Sequence, residues 1–238
     1  MFDSYLNESI LGRAIKQKKI FVSFVNPRKF VTGKYKKVWP DGNVSLQVDD
    51  RPYAGGPGMV MRAEPIVKAV EFTKASIIRR NLKSSKIFSD VQPPKPIRCW
   101  TSKKILTINF IPSAEKFTTT SAKNISKKYT DIILICGRYE GIDARVDKIL
   151  KTKKFSIGDY VLTGGEIPAM VLIDSISRQV DGVLGNFNSR EEERISTSEI
   201  YTRPEILVHN NKKYKVPSVL LSGHQKNIEE WKNKHIGM

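Results

Sequence analysis

The sequence has few cysteines, and they lie far apart. Cys99 and Cys136 are the only two among 238 residues, and neither belongs to a CxxC pair. Disulfide frameworks and zinc sites both need several cysteines at characteristic spacings. The sequence therefore predicts neither, and it favours a reducing compartment.

Long apolar runs are also missing. A membrane-spanning helix needs about 18 to 20 consecutive apolar residues, whereas the best run here covers residues 132–136. The opening residues 1–4 lack the basic and apolar regions of a secretory signal peptide. We therefore expect a cytoplasmic protein with no membrane partner.

Acidic residues are scarce relative to basic ones. The chain carries 41 Lys and Arg against 24 Asp and Glu, which gives a formal net charge of +17. Such an excess favours a polyanionic partner such as nucleic acid, because neutralising phosphates provides most of the non-specific affinity. The composition leaves a second explanation open, since AT-rich codon usage also enriches lysine, isoleucine and asparagine.

The hydrophobic pattern predicts an α/β fold. Residues 105–110 and 131–136 are short, nearly continuous apolar runs, typical of strands buried on both faces. A polar connector of helical length, 113–128, lies between them. A third β-rich piece surrounds residues 160–162, and a helix is predicted over 167–180. Strands that alternate with helices predict a parallel sheet with ligand sites at the carboxyl ends of its strands.

The remaining segments are predicted from periodicity and turn signals. In chain order they are a helix over 8–19, a β-rich run over 20–25, a hairpin or loop over 33–50, a helix from Glu64-Pro65 through Ile78, an exposed insertion over 81–104, and a polar linker over 186–199 before a helical tail.

Two glycine-bearing loops are candidate ligand sites. They cover residues 136–143 and 156–166 and follow predicted buried strands, which we expect to be neighbours in the sheet. Glycine lets the backbone approach a flat ligand closely, and the intervening amides can contact the ligand's edge. Neither loop matches a dinucleotide or triphosphate motif. The pattern alone leaves ordinary turns as the alternative.

These loops, with further motifs in the same order, resemble the bacterial tRNA (guanine-N1)-methyltransferases. The similarity runs from about Gly12 to Trp231. The matching stretches are residues 49–53 (Asp-Asp-Arg-Pro-Tyr), 55–59 (Gly-Gly-Pro-Gly-Met), 137–143 (Gly-Arg-Tyr-Glu-Gly-Ile-Asp), 156–166, 182–185 (Gly-Val-Leu-Gly), 201–205 (Tyr-Thr-Arg-Pro-Glu) and 221–224 (Leu-Ser-Gly-His).

The resemblance implies a knotted methyltransferase of the SPOUT class. Its α/β domain, residues 1–182, would contain a parallel sheet and a deep C-terminal trefoil knot. A linker over 183–200 and a small helical tRNA-binding domain over 201–238 would follow. Members of the family are homodimers with the active site at the subunit interface. They also have a β-strand before the part that matches Met1 and a longer tail, so we expect the natural chain to start earlier.

The resemblance further implies the reaction. The enzymes transfer a methyl group from S-adenosylmethionine to N1 of the guanosine directly 3′ of the tRNA anticodon, which supports reading-frame maintenance. A magnesium ion is associated with their activity. Two alternatives stay open at this point: a tRNA-binding relic without turnover, and an α/β enzyme that acts on a small molecule.

Site residues are carried over position by position onto matching motifs. Asp50, Arg51 and Tyr53 lie in a matched motif and are expected to border the pocket for the substrate base, with a turn-rich surface loop as the alternative. The cofactor-binding matches are Pro112, Gly137, Tyr139, Glu140, Gly141, Ile157, Gly158, Asp159, Tyr160, Val161, Leu162, Gly164 and Gly165.

Two catalytic residues complete the expected site. The N1 proton of guanine is weakly acidic, so its removal needs a general base, and the charge that develops toward O6 needs a cation. The resemblance assigns the cation to Arg178 and the base to Glu193, where the family has aspartate. An alignment shifted by one residue would assign the base to Glu192 instead, and a solvated run of charges over 191–193 is a further alternative. The histidines, 209, 224 and 235, show no metal-ligand spacing.

Overall fold

The structure is a computed structural model. It describes residues 1–40, 42–53, 55–84, 104–184 and 199–235. The chain divides into two compact units, Met1–Val183 and Leu184–Met238. Most of the expected insertion and linker, with Cys99 and Glu193, lies outside the described residues. The predicted division into a knotted domain, a linker and a tRNA-binding tail stays a prediction.

Among the described residues from 63 to 177 of the first unit, helices and strands alternate, and the second unit has its own elements. The helices are α1 Phe2–Leu6, α2 Ser9–Lys16, α3 Ala63–Ser84, α4 Thr119–Lys128, α5 Arg145–Leu150, α6 Glu166–Ser177, α7 Ser218–Leu221 and α8 Gln225–Lys234. The strands are β1 Lys36–Val38, β2 Val44–Leu46, β3 Asp49–Asp50, β4 Val60–Met61, β5 Ile105–Phe110, β6 Asp131–Ile135, β7 Lys153–Phe155, β8 Ile206–His209 and β9 Lys212–Lys215.

A three-stranded parallel sheet organises the first unit. Its order is β6-β5-β7, with Ile105 opposite Asp131 and Phe110 opposite Phe155. The predicted parallel α/β fold and the strands at 105–110 and 131–135 are confirmed. The two glycine loops do not follow neighbouring strands, because β5 lies between β6 and β7. That expectation was wrong, since chain order does not fix the order of strands in a sheet.

Apolar clusters cover the sheet and hold its helices in place. One cluster joins β5 and β7 to α4 and α6 and includes the fully buried Ile108, Phe155 and Leu172. A second cluster joins α3, α5 and β6 and includes the fully buried Val146. Complete burial of one such side chain contributes about 1.5–3 kcal/mol to the free energy of unfolding. This packing fixes the strand ends from which the site loops begin.

Local sequence signals explain several element boundaries. Helix α3 begins as predicted, with Pro65 in its first turn, where its missing N–H costs no helical hydrogen bond. Helix α4 is capped by Thr118, whose side-chain oxygen accepts a hydrogen bond from the Ser121 amide at 3.2 Å. Residues 33–50 were expected to form a hairpin or loop, and within them β1 and β2 pair antiparallel.

Two predicted strands are not observed. Residues 20–25 are irregular, and Phe21 and Phe24 are 71% and 57% exposed. Residues 160–162 belong to a loop, and the strand lies earlier, at β7. In both places β-favouring side chains are present, but no neighbouring strand edge among the described residues pairs with them. Propensity reflects packing on a sheet and does not create a partner.

The outer edge of β6 borders a groove of about 1210 Å³. Side chains of β6, α3, α6 and the irregular segment 20–25 line it. Within the described ranges, β6 pairs with β5 alone. The additional N-terminal strand implied by the family resemblance stays a prediction.

The second unit contains a two-stranded antiparallel hairpin, β8 and β9, followed by α7 and α8. Trp231 of α8 stacks on His235, with ring centroids 4.2 Å apart, and packs edge-on against Tyr201. The hairpin was not predicted from the sequence, which indicated a helical tail. Nowhere in the described ranges is a helix both long and apolar enough to cross a membrane.

Candidate active site

Three loops leave the carboxyl ends of the parallel strands at one edge of the sheet. Residues 111–117 follow β5, residues 136–143 follow β6, and residues 156–165 follow β7. This edge is where ligands bind in open parallel sheets. The structure therefore brings Pro112 and both predicted glycine loops to the same end of the sheet.

The loops after β6 and β7 touch backbone to backbone. The Gly165 amide donates a hydrogen bond to the Gly137 carbonyl at 2.8 Å. A Cβ added at Gly165 would lie 2.7 Å from Cys136 Cα and 2.9 Å from the Gly137 nitrogen. Only a residue without a side chain permits this approach, so the glycine has a structural reason to be there.

An ion pair holds the same two loops together at the side-chain level. Arg138 Nη2 lies 2.8 Å from Glu166 Oε1, and Arg138 Nε donates to the same oxygen at 2.8 Å. Arg138 also forms an antiparallel bridge with Gly164. This ion pair was not predicted from the sequence. Arg138 and Glu166 lie in matched motifs and carry opposite charges, but they are 28 residues apart. Their contact could therefore not be inferred from spacing.

The loop after β5 attaches to the other side of the loop after β7. The Ser156 amide donates to the Glu115 carbonyl at 2.9 Å, and the Phe117 amide donates to the Ser156 carbonyl at 2.8 Å. Lys116 Nζ lies 2.5 Å from Asp159 Oδ2. Both of these side chains are exposed, so the ion pair has a modest and salt-sensitive energy.

The segment 156–162 forms a tight loop around Gly158. The Ser156 hydroxyl donates to the Gly158 carbonyl at 2.9 Å and accepts from the Gly158 amide at 3.2 Å. The Tyr160 ring packs directly over Gly158, where a Cβ would meet its Cζ at 2.6 Å, and its hydroxyl donates to the Ile157 carbonyl at 3.3 Å. Val161 is 82% exposed. The loop thus presents backbone groups beside apolar side chains, the combination that suits a purine ring.

The glycine-rich stretch 55–59 meets the loop after β6. The Glu140 amide donates to the Met59 carbonyl at 3.0 Å, and the Met61 amide donates to the Gly141 carbonyl at 2.9 Å. A Cβ at Gly58 would lie 2.6 Å from Glu140 Cγ, so this glycine makes room for the carboxylate side chain. Two motifs about 80 residues apart in the sequence therefore form one surface.

The turn at 138–141 is strained. Tyr139 has a φ of 61° and Gly141 a φ of 128°. The left-handed region is unfavourable for tyrosine by roughly 1–2 kcal/mol. Backbone hydrogen bonds to the 59–61 segment on either side of the turn hold this geometry. Strain maintained by surrounding structure is common at functional sites.

Strand β3 presents the predicted substrate-side residues. Asp50 accepts a hydrogen bond from the Tyr35 hydroxyl at 2.6 Å and another from the Arg51 amide at 2.8 Å. These bonds, that from Tyr35 foremost, lower the pKa of Asp50 below its ordinary value. The Arg62 guanidinium lies 3.3 Å from the centre of the Tyr35 ring. Asp50 is therefore an anchored carboxylate, whereas the Tyr53 side chain is fully exposed.

A carboxylate and an arginine close the loop after β6. Arg145 donates to both carboxylate oxygens of Asp143, at distances of 2.5 to 3.1 Å. The hydrogen bonds from Arg145 lower the pKa of Asp143, and Asp143 raises the pKa of Arg145, with a smaller contribution from Tyr53. The charge of Arg145 is thus paired with that of Asp143 at the end of this loop.

Cys136 lies at the junction of β6 and its loop. Burial, with a smaller contribution from Glu166, raises the pKa of its thiol to about 12. At neutral pH the thiol is therefore protonated and a poor nucleophile. This argues against covalent catalysis by Cys136.

Of the two predicted catalytic residues, the structure describes Arg178 and not Glu193. Arg178 is the C-terminal cap of α6, and its amide donates to the Asp174 carbonyl at 3.0 Å. It is half-buried. Glu193 and its alternative Glu192 lie outside the described residues, so their placement relative to Arg178 stays a prediction.

The described ranges contain no group of three or more His, Cys, Asp or Glu side chains that could hold a metal ion. The magnesium ion suggested by the resemblance stays a prediction. We derive no step of the reaction through a metal.

Comparison with known proteins identifies the family. The family model for tRNA (Guanine-1)-methyltransferase TrmD matches residues 1–237. A tRNA (guanine-N(1)-)-methyltransferase of Carboxydothermus hydrogenoformans is 40% identical over 98% of this chain and 78% of its own length. The proteins of the same name from Clostridioides difficile and Pseudoalteromonas atlantica are 39% and 36% identical, again over 98% of this chain, and over 87% and 75% of their own lengths. The chain therefore belongs to the tRNA (guanine-1)-methyltransferase family and is an enzyme of that class.

Proposed function

We propose that this enzyme transfers a methyl group from S-adenosylmethionine to N1 of the guanosine directly 3′ of the tRNA anticodon, and so supports reading-frame maintenance. The observation that carries the proposal is the convergence of three loops at one edge of the parallel sheet, where Gly165 lies against the backbone of 136–137. Family membership supplies the reaction class, and these loops supply a place for the methyl donor.

The residues of the three loops fit S-adenosylmethionine. Backbone groups of 157–162 suit the adenine, because a purine needs an apolar slot lined with donors and acceptors. Gly164 and Gly165 leave room for close approach, and the Glu140 carboxylate suits a positive charge. When bound, the donor supplies an electrophilic methyl group on a sulfonium sulfur. We also propose that the other matched positions, Pro112, Gly137, Tyr139 and Gly141, contact S-adenosylmethionine.

Two side chains of this chain then act on the guanine. Glu193 accepts the N1 proton, and the N1 electron pair forms the new bond to the methyl carbon while the carbon–sulfur bond breaks. Arg178 stabilises the negative charge that develops toward O6. A base of this kind typically contributes 10²–10⁴-fold to the rate. Glutamate is one methylene longer than aspartate. For its carboxylate to reach the same position, we expect the backbone at residue 193 to lie slightly farther from the guanine than an aspartate would require.

The substrate base is expected beside Asp50, Arg51 and Tyr53. Asp50 is fixed by Tyr35, and the exposed Tyr53 ring offers a surface for stacking. A guanine edge presents donors and acceptors that an anchored carboxylate and an arginine can bind.

We propose a homodimer with a knotted cofactor domain. Apolar side chains near the site support an interface: Ile167 and Val171 of α6 are 42% and 39% exposed, and Tyr160 is 54% exposed. Exposed apolar residues close together mark interaction surfaces. The backbone contact between 165 and 137 is consistent with one loop passing closely against another, as a knot requires.

We also propose a cytoplasmic location, because the proposed substrate is a tRNA.

A methyl-transfer assay tests the proposal. Purified protein is given labelled S-adenosylmethionine and either an unmodified tRNA transcript with guanosine 3′ of the anticodon or a matched transcript with adenosine there. We expect incorporation into the first transcript only. The Glu193→Gln and Arg178→Ala variants should lose at least about 100-fold in rate, whereas Glu192→Gln, a matched charge removal, should retain activity.

Three outcomes would contradict parts of this proposal. Tight tRNA binding without methyl transfer would indicate a relic. Transfer to free guanosine without any tRNA requirement would indicate a small-molecule enzyme. Full activity of Glu193→Gln, with loss in Glu192→Gln, would move the base by one residue.

A further inference from the structure

Two residues near the start of the chain contact the segment that carries Arg178. The Tyr5 hydroxyl of α1 donates a hydrogen bond to Asp174 Oδ2 of α6 at 2.5 Å, across 169 residues of sequence. The Lys19 side chain, which follows α2, occupies the place that a Cβ on Gly182 would take. Asp174 and Gly182 lie four residues before and four residues after Arg178. These contacts therefore hold the chain on both sides of that arginine.

Asp174 links Tyr5 to Arg178. Its backbone carbonyl accepts a hydrogen bond from the Arg178 amide at 3.0 Å, while its side chain accepts the bond from Tyr5. Arg178 caps α6 with helical backbone angles, a φ of −57° and a ψ of −24°. Its neighbours Ser177 and Gln179 are buried. Because Asp174 and Arg178 belong to one hydrogen-bonded turn, a displacement of Asp174 would also displace the backbone of Arg178.

The place of Asp174 in α6 is unfavourable for the helix alone. The last turn of an α-helix carries a partial negative charge, so a carboxylate there lowers helix stability. The last turn of α6 contains Asp174 and no basic residue. The Tyr5 hydroxyl offsets this effect, because a hydrogen bond to a charged acceptor is roughly twice as strong as a neutral one. The same bond raises the pKa of Tyr5, so the hydroxyl stays protonated and remains a donor at neutral pH.

We propose that Tyr5 is a positioning residue for methyl transfer: through Asp174 it fixes the last turn of α6 and so holds the Arg178 guanidinium in place for the charge that develops at O6. This inference rests on the proposed function and adds a residue that touches neither substrate nor cofactor. Stabilisation of charge in a transition state depends on donors that are already in place. A less ordered Arg178 should therefore lower the rate without changing the affinity for the substrates.

Single-turnover kinetics test the positioning role. Tyr5→Phe keeps the ring and removes the hydroxyl. With saturating S-adenosylmethionine and unmodified tRNA transcript, it should lower the methyl-transfer rate by about tenfold, less than Arg178→Ala, because the arginine is displaced and not removed. The affinities for both substrates should stay within about twofold of native, as expected for an interaction made only in the transition state. Ser175→Ala, which removes a hydroxyl bonded within α6 to the Val171 carbonyl, is the matched control and should keep the native rate.

A double-mutant cycle separates positioning from a general effect on stability. If Tyr5 acts through Arg178, Tyr5→Phe should cause no further loss of rate in the Arg178→Ala background. An equal loss in both backgrounds, or a native rate in Tyr5→Phe alone, would overturn the proposal. Asp174→Asn keeps an oxygen that can accept from Tyr5, so it should lose less rate than Asp174→Ala. The reverse order would also contradict the link through Asp174.

A spectroscopic measurement distinguishes failure of this inference from failure of the proposed function. The Nε–H signal of Arg178 in an NMR spectrum of the full chain is assigned by its loss in Arg178→Lys. In Tyr5→Phe this signal should shift or broaden, whereas that of Arg145, which is paired with Asp143, should not change. If the native chain transfers no methyl group and the Arg178 signal still responds, the proposed reaction fails and the link from Tyr5 to Arg178 stands. If Tyr5→Phe leaves both the Arg178 signal and the methyl-transfer rate native, the inference fails and the proposed reaction stands.

Discussion

Replacing Gly165 by alanine should separate the two loops that form the proposed cofactor site. The backbone at Gly165 has a φ of −80° and a ψ of 1°, which alanine adopts without strain, so the effect is purely steric. The new Cβ would lie 2.7 Å from Cys136 Cα, and ordinary contact begins at 3.4 Å. One backbone therefore has to move by about 0.7 Å relative to the other.

The size of the effect follows from packing energetics. Overpacking against backbone costs about 1–3 kcal/mol, and in a chain of this size each kcal/mol lowers Tm by about 2–4 °C. We expect Gly165→Ala to lower Tm by about 2–12 °C. Because misplacement by about an ångström can cost roughly 100-fold in rate, methyl transfer should fall by at least tenfold. The affinity for S-adenosylmethionine should fall with it.

The neighbouring Gly164→Ala variant is the matched control. Its added Cβ would first meet the end of the Glu166 side chain, which can rotate away, and next the Gly137 carbonyl oxygen at 3.3 Å. It should cost less than about 1 kcal/mol, mostly through the ion pair of Glu166 with the exposed Arg138. Thermal unfolding compares the two variants, and calorimetric titration with S-adenosylmethionine compares Gly165→Ala with the native chain. Native Tm and affinity in Gly165→Ala, or a larger loss of Tm in Gly164→Ala, would refute the steric reasoning.

Three further predictions concern single interactions. Lys116→Met should weaken binding of S-adenosylmethionine by about two- to fivefold at low salt, because it removes the ion-pair partner of Asp159. In the same titration at high salt, the affinities of the variant and the native chain should be equal. A difference in affinity that persists at high salt would contradict an electrostatic cause. In a variant whose other cysteine is changed to serine, Cys136 should react with iodoacetamide at pH 8 at least about 100-fold more slowly when the protein is folded than when it is unfolded. The reason is that a pKa of about 12 leaves little thiolate in the folded protein. Equal rates would contradict the raised pKa. Tyr35→Phe should raise the pKa of Asp50, as measured by NMR titration, and an unchanged titration would contradict the hydrogen bond. The same variant should lower the free energy of unfolding at neutral pH. This loss should disappear as the pH falls below the ordinary range of aspartate, because a lowered pKa stabilises the fold only while the carboxylate is ionised.

Two strands of the sheet, β5 and β6, were predictable from the sequence, whereas β7 was not. The continuous apolar runs at 105–110 and 131–135 are typical of strands that pack on both faces; β5 is largely buried and β6 is half-buried. The segment 20–25 has equally favourable residues, but strand formation depends on a partner edge, which no local pattern encodes. Residues 160–162 were misassigned for a related reason, since their apolar side chains are exposed in a loop.

The loops of the candidate site were predictable from the sequence, and the contacts between them were less so. Glycine positions and predicted strand ends indicated where these loops lie, whereas S-adenosylmethionine as their ligand stays a prediction from the motif resemblance. The pairing of Arg138 with Glu166 and of Lys116 with Asp159 spans 28 and 43 residues. Such contacts depend on how strands are ordered in the sheet, so a single sequence does not specify them.

Locating the transferred methyl group tests the central claim most directly. Unmodified tRNA bearing guanosine 3′ of the anticodon is incubated with the protein and S-adenosylmethionine, digested to nucleosides and fragments, and analysed by mass spectrometry. The account predicts one methyl group, on N1 of that guanosine, and none when adenosine replaces it. A methyl group on another atom or nucleotide, or no methyl group in tRNA that the protein demonstrably binds, would contradict it.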